Sequence, residues 1–244
     1  MTMTTSVSGL ARAAPWQRIS TGNDAIAIAE RNALGTSARI AVWPPESLEA
    51  ACAAVDSVLS ALDLQASRFR PDSEICWIHR AGSGLFMLSD GLAEAVEVAL
   101  AAARWTGGLA DPTVGDALIS LGYDRDFAAI DQQRSDPPGA PAPAPGWHTV
   151  QLDGPMLRLP AGVRLDLGAT AKGLGSDRAA RAAFAAAGQG TIDVDNQTIR
   201  LDGGPPIGFE LDELRKAFIT GGGFLPYLAS KIDAVRAWEA ACHK

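Results

Sequence analysis

Cysteine is scarce. Cys52, Cys76 and Cys242 are three in 244 residues, odd in number and far apart, which excludes a disulfide framework and a zinc spacing. Cys52 lies in an alanine-rich helical stretch and reads as core. Basic residues are outnumbered by acidic ones, 21 to 28, for a net charge of −7, and nothing resembles the basic footprint of a nucleic-acid binder. No apolar run approaches the length of a membrane span. A basic-then-apolar leader is also missing, so the expected compartment is the cytoplasm. There is no internal repeat and no G-x-x-x-x-G-K-[ST] phosphate loop. What is present is ordinary for a soluble globular chain: 47% hydrophobic and 20% charged residues, enough to build a core as one large domain or two small ones.

Along the chain, the stretch up to about Gln17 is rich in Ser, Thr and Ala and is expected to be poorly ordered, with Trp16 as the first packed residue. Ile26 to Glu30 alternates weakly, as an edge strand does. Ala38 to Trp43 reads as a strand stopped by Pro44 and Pro45. A long helix is expected from Glu46 to about Leu64, with Leu48, Cys52, Val55, Leu59 and Leu62 on one buried stripe. Ser67 to Ile75 crowds Arg68, Phe69, Arg70, Asp72 and Glu74 around Pro71; locally this is a turn capped by Asp72 or Ser73 and laced with ion pairs. Ser89 and Asp90 open a second helix that glycines stop at Gly107 and Gly108. Asp111 and Pro112 then read as the cap and first residue of a short helix. Asp131 to Pro145 is an exposed Pro/Ala/Asp-rich loop by composition. Trp147 to Leu152 and Met156 to Leu159 form a hairpin around Asp153-Gly154-Pro155.

The most informative stretch runs from Val163 to Gly173. It reads as a short apolar strand delivering Asp166, a turn of small residues, and a helix through Arg181. Gly168, Ala169 and Ala171 would let a ligand approach the backbone, and the helix start would suit a phosphate within reach of Lys172. The alternative is tight strand–helix packing with Lys172 solvated.

Four segments in order carry a resemblance. Leu34-Gly35-Thr36, Ser67 to Ile75, Gly107 to Gly115 with the trailing Leu121-Gly122-Tyr123, and Leu165 to Gly173 followed by Asp177 resemble the ApbE family, the FAD:protein FMN transferases. The likeness covers about residues 32–188. It implies an α/β fold, a mixed sheet flanked by helices. It further implies magnesium-dependent transfer of FMN from FAD (a substrate) onto a hydroxyl of a target flavoprotein, with AMP released. The family's flavin contacts fall on Leu34, Phe69, Leu109, Ala110, Asp111, Asp166 and Lys172. Its metal-ligand position falls on Ala169, whose only donor is the backbone carbonyl. His79 stands where the family commonly has asparagine and is expected to substitute as a hydrogen-bonding group rather than as a general base.

Past Gly188 the family's Gly-Gly-Asp strand end, its His-x-x-Asp-Pro-x-Thr-Gly segment and its Asp-x-x-x-Thr metal pair have no counterpart, so the fold is expected to be incomplete at the C-terminus. The metal site is left two oxygen ligands short of what magnesium requires. Thr191 to Leu201 reads as a hairpin turning at Asp195-Asn196, followed by helices over Phe209 to Phe218 and Pro226 to Ala241. Part of this tail is similar to that of the 3-isopropylmalate dehydratase small subunit. The expected division is an ApbE-like flavin-binding region over 1–190 and a divergent segment over 191–244. Three readings follow: the transferase, a non-catalytic flavin-binding or scaffold protein, and an interaction module built on the dehydratase-like tail.

Overall fold

The computed structural model describes residues 15–20, 26–125, 143–187, 190–193 and 198–201, with a few further positions between 206 and 233. The described chain is α/β, with helices flanking small sheets. The strands pair antiparallel in three sheets of three strands each.

The first sheet comprises β1 (Gln17–Ile19), β2 (Ala27–Ala33) and β3 (Thr36–Val42), in that order. The segment expected at an edge is therefore the middle strand. Its alternation is muted because Ala27 and Ala29, small side chains only 2% and 1% exposed, form the inward face. The strand that covers it was hidden in a polar start that resembles unstructured chain. Trp16 is packed as expected, and its indole N–H donates to Asp56 at 2.8 Å.

Helix α1 (Leu48–Ala66) buries Ala51, Cys52, Val55, Leu59 and Leu62, with Leu48 partly covered. Its first part packs on β2 and β3, whereas Leu62 joins a larger cluster formed by α2 (Glu74–Ala81), β4 (Gly84–Met87), α3 (Asp90–Thr106) and β6 (Met156–Leu159). Ser73 caps α2 by accepting from the Cys76 N–H at 3.2 Å. Ser89 caps α3. Gly107, in the left-handed region at φ 61°, closes α3 as its sequence signalled. Strands β4, β6 and β5 (Gln151–Asp153) form the second sheet with β6 central. Each fully buried Leu or Ile of this core, such as Leu62, Ile75, Leu92 and Leu165, contributes roughly 1.5–3 kcal/mol.

Two local expectations change. The short helix α4 begins at Gly115, not Pro112, and runs to Ser120. Asp111 does not cap it, because its carboxylate is turned to Thr113 and Trp147. Residues 163–167 carry no regular secondary structure and join no described ladder, although Val163, Leu165 and Leu167 are buried. Their backbone instead meets single partners on several elements: Gly115 N to Arg164 O (3.1 Å), Asp166 N to Pro112 O (2.8 Å) and Leu165 N to the His79 ring (3.2 Å).

Helix α5 (Gly168–Ala187) packs against α1 and α3 along Thr170, Ala171, Leu174, Gly175 and Ala179. The third sheet holds β7 (Gly190–Asp193), β8 (Thr198–Leu201) and β9 (Ile207–Gly208). The hairpin expected there is present, and its Asp195-Asn196 turn lies outside the described residues. So do most of the two expected C-terminal helices, of which Lys216 and Lys231 to Asp233 are described as helical, and most of the Asp131–Pro145 stretch. No helix among the described residues is long and apolar enough to cross a membrane.

Candidate functional site

Where α1 ends and α5 begins, the polypeptide leaves a cleft of about 380 Å³. Three segments distant in sequence line it: the β2–β3 turn, the run from Asp63 to Arg70 that leaves α1, and the first turns of α5, with Tyr123 at the side. The turn is built from two residues, Leu34 and Gly35, both at positive φ (51° and 70°), as a two-residue hairpin prefers. A leucine in that region is strained, and its side chain lines the cleft and packs on both core clusters.

Ser73 shapes the second segment. Its hydroxyl is fully buried, donates to the Ser67 carbonyl at 2.7 Å and also caps α2, folding 67–73 into a closed loop. Arg70 is fixed by Asp72 and Asp63 at 2.7 and 2.9 Å. This pairing raises the Arg70 pKa and holds the Asp72 carboxyl below its ordinary value. These are the ion pairs expected of this stretch. Arg68, in contrast, turns inward.

Its Nε donates to Asp166 Oδ2 at 2.7 Å and its Nη1 to the Tyr123 carbonyl at 2.8 Å. The guanidinium carbon lies 4.5 Å from the Phe69 ring centre and 5.1 Å from that of Tyr123, within range of cation–π attraction. Asp166 uses its other oxygen to accept from the Gly168 N–H at 2.9 Å, which satisfies one orphan donor at the start of α5. Lys172, one turn further on, is exposed, lines the cleft and forms no ion pair among the described residues. Arg31, Arg68, Arg70 and Lys172 against Asp63 and Asp166 give the cleft a positive balance within a chain of net charge −7. That suits a polyanion.

Of the positions singled out by sequence, Leu34, Phe69, Asp166 and Lys172 meet in this cleft. Leu109, Ala110 and Asp111 do not line it. Leu109 is 92% exposed. Asp111 Oδ1 accepts from the Thr113 N–H and hydroxyl (2.8 and 2.7 Å), and Oδ2 from the Trp147 N–H at 3.1 Å. The Asp111 segment meets the cleft wall where the Pro112 carbonyl accepts from the Asp166 N–H. Ala169 is exposed on the first turn of α5, outside the lining. Sequence alone places Arg68 and Tyr123 within motifs without assigning either to a ligand; the charge and aromaticity beside Phe69 are the available signal.

Among the described residues there is no cluster of three His, Cys, Asp or Glu able to hold a metal. Asp166 already receives an arginine and a backbone N–H. His79 behaves as a hydrogen-bonding substitute: Nε2 accepts from the Leu165 N–H. Burial first, then Arg164 and Arg68, depress its pKa to about 4, so at neutral pH it holds the segment as a neutral acceptor.

The ApbE family pattern matches residues 34–203, continuing past Gly188. The FAD:protein FMN transferase of Treponema pallidum (strain Nichols) is 30% identical over 167 residues, covering 59% of this chain and 43% of that protein. Among solved structures, the Thermotoga maritima ApbE protein superposes with a TM-score of 0.55 at 20% identity, covering 78% of this chain and 57% of that one. The Pseudomonas stutzeri flavinyl transferase ApbE in its apo form gives 0.55 at 17% identity, covering 73% and 56%. The flavin transferase ApbE of Vibrio cholerae gives 0.54 at 20% identity, covering 78% and 60%. This chain thus spans under half of the curated relative and somewhat over half of each solved structure. With the family pattern matched over most of its length and the fold shared, the chain belongs to the ApbE family.

Proposed function

We propose that this chain binds FAD in the α1–α5 cleft and acts as an FAD:protein FMN transferase on a flavoprotein acceptor. The observation that carries the reading is the convergence of Phe69, the Arg68–Asp166 pair and Lys172 on one positively balanced cleft. Each group has a fitting task. Phe69 offers a ring face for a flat heterocycle, Lys172 offers an ammonium to the diphosphate, and Asp166 accepts from a hydroxyl or ring N–H.

In the proposed reaction, the acceptor hydroxyl oxygen forms a bond to the phosphorus of the FMN half. The bond from that phosphorus to the bridging oxygen breaks, AMP leaves, and the hydroxyl proton is released. The chain's contribution is to hold the diphosphate in place and offset its charge. Magnesium belongs to the family's chemistry, and the family resemblance gives it the Ala169 backbone carbonyl, which lies outside the cleft lining. The comparisons support neither a scaffold nor a dehydratase-like module.

Equilibrium dialysis with FAD, with and without magnesium, tests binding. AMP release in the presence of a hydroxyl-bearing flavoprotein acceptor tests transfer. Saturable FAD binding with AMP formed in step with flavin incorporation is the expected result. Flavin fluorescence indifferent to the protein would overturn the reading.

A further inference from the structure

Two arginines lining the cleft keep a buried nitrogen without a hydrogen-bond partner, Arg31 at Nε and Arg68 at Nη2, and of these it is Arg68 that also touches Phe69 and Asp166. It is 6% exposed and bound on two of its three nitrogens, by Asp166 and by the Tyr123 carbonyl. The third nitrogen, Nη2, is shut away from solvent with no hydrogen-bond partner. An arginine that only clamps a loop would normally spread its fork over available carbonyls, because a buried charged donor without an acceptor is costly. Here the guanidinium rests against the Phe69 and Tyr123 rings, which themselves meet edge to face with centres 5.1 Å apart, so much of its side-chain entropy is already lost before any ligand arrives.

We propose that Arg68 is a ligand-contacting residue, and that its unpaired Nη2 donates to an electron-rich oxygen of the bound nucleotide. That oxygen belongs to the diphosphate or to a ring carbonyl. Arg68 is not among the positions assigned to the flavin by family resemblance. The inference rests on the reading of the cleft as an FAD site. Seating a nucleotide against Phe69 and Asp166 would displace the atoms that cover Nη2 and supply the acceptor that the fold leaves out. The same fork then ties three things together: the aromatic platform, the Asp166 carboxylate and the ligand.

The test uses the full chain and Arg68→Lys, which keeps a cation for Asp166 but removes the fork. Wild-type protein should bind FAD, and the variant should bind it about tenfold more weakly, the loss of one charge-assisted hydrogen bond. ADP and riboflavin as competitors locate the oxygen: a loss confined to ADP identifies a phosphate, and one confined to riboflavin a ring carbonyl. Equal proportional losses on both indicate general distortion and overturn the proposal, as does unchanged FAD affinity. If wild-type protein fails to bind FAD, both this inference and the reading beneath it fall.

A second measurement does not depend on the variant folding. In wild-type protein labelled with 15N-arginine, the solvent-protected side-chain N–H signals should include Arg68 and should shift at saturating FAD. Protected signals that stay in place under saturation overturn the proposal.

Discussion

Gly115 sits so close to Arg164 that a Cβ placed on it would lie 2.5 Å from the Arg164 carbonyl oxygen. The glycine N–H donates to that same oxygen at 3.1 Å. The contact is backbone against backbone, so no rotamer change can relieve it. Gly115→Ala should push residues 164–166 away from α4 and disturb the Asp166–Arg68 pair. A stability loss of about 1–3 kcal/mol is expected from such overpacking, together with weakened FAD binding. Thermal melts and dialysis on the same preparation check both; an unchanged melting temperature would count against this account of the contact.

His79 makes stability depend on pH in a defined direction. Its folded pKa is about 4 against an ordinary 6.5, so between these values the unfolded chain binds the extra proton. The stabilisation is complete above about pH 6.5 and is lost progressively as pH falls toward 4, up to about 3 kcal/mol. His79→Asn keeps an acceptor for the Leu165 N–H but cannot titrate. Urea midpoints measured from pH 4 to 7 should fall more steeply for the wild type than for this variant. Parallel curves would remove His79 as the cause.

Two glycines on α5 should respond oppositely to alanine. Nothing lies within 4 Å of a Cβ on Gly173, whereas one on Gly175 would approach Leu62 Cδ2 at 2.8 Å. Gly173→Ala should therefore gain about 0.5–1 kcal/mol of helix propensity. Leu62 is only 1% exposed and enclosed by the core, so Gly175→Ala should lose about 1 kcal/mol or more net. Denaturant titrations of the two single variants decide it; changes of the same sign would show that Leu62 can yield.

Lys172 is exposed, and its removal should leave the fold intact. Lys172→Met is expected to weaken FAD binding several-fold, about 1 kcal/mol for one partly screened ammonium–phosphate contact. Riboflavin, which lacks phosphate, should bind the variant and the wild type alike. Raising the salt concentration should narrow the difference for FAD. Equal losses for both ligands would place Lys172 elsewhere than on the phosphates.

The parts of the fold that local chemistry decides were legible. Ser89 and Gly107 marked the ends of α3, and the Cys52–Leu62 stripe marked α1. The Leu34–Gly35 turn, Phe69, Asp166 and Lys172 were singled out through motifs and do share a cleft. What could not be read depends on partners remote in sequence. Asp111 has the spacing of a helix cap, yet besides its neighbour Thr113 it holds the Trp147 N–H, 36 residues away. Arg68 looked like one of several surface ion pairs, because nothing local indicates that its partner is Asp166, 98 residues on. The run 163–167 lacks a ladder for the same reason: its hydrogen bonds go to a proline carbonyl and a glycine of the 112–115 segment and to the imidazole of His79.

Both margins of the interval between Tyr123 and Gly146 are riveted down. Arg68 grips the Tyr123 carbonyl on one side; on the other, the Gly146 and Trp147 amides are held by Thr113 and Asp111. The described chain therefore leaves and re-enters this side of the molecule at two pinned points, each set by a residue remote in sequence.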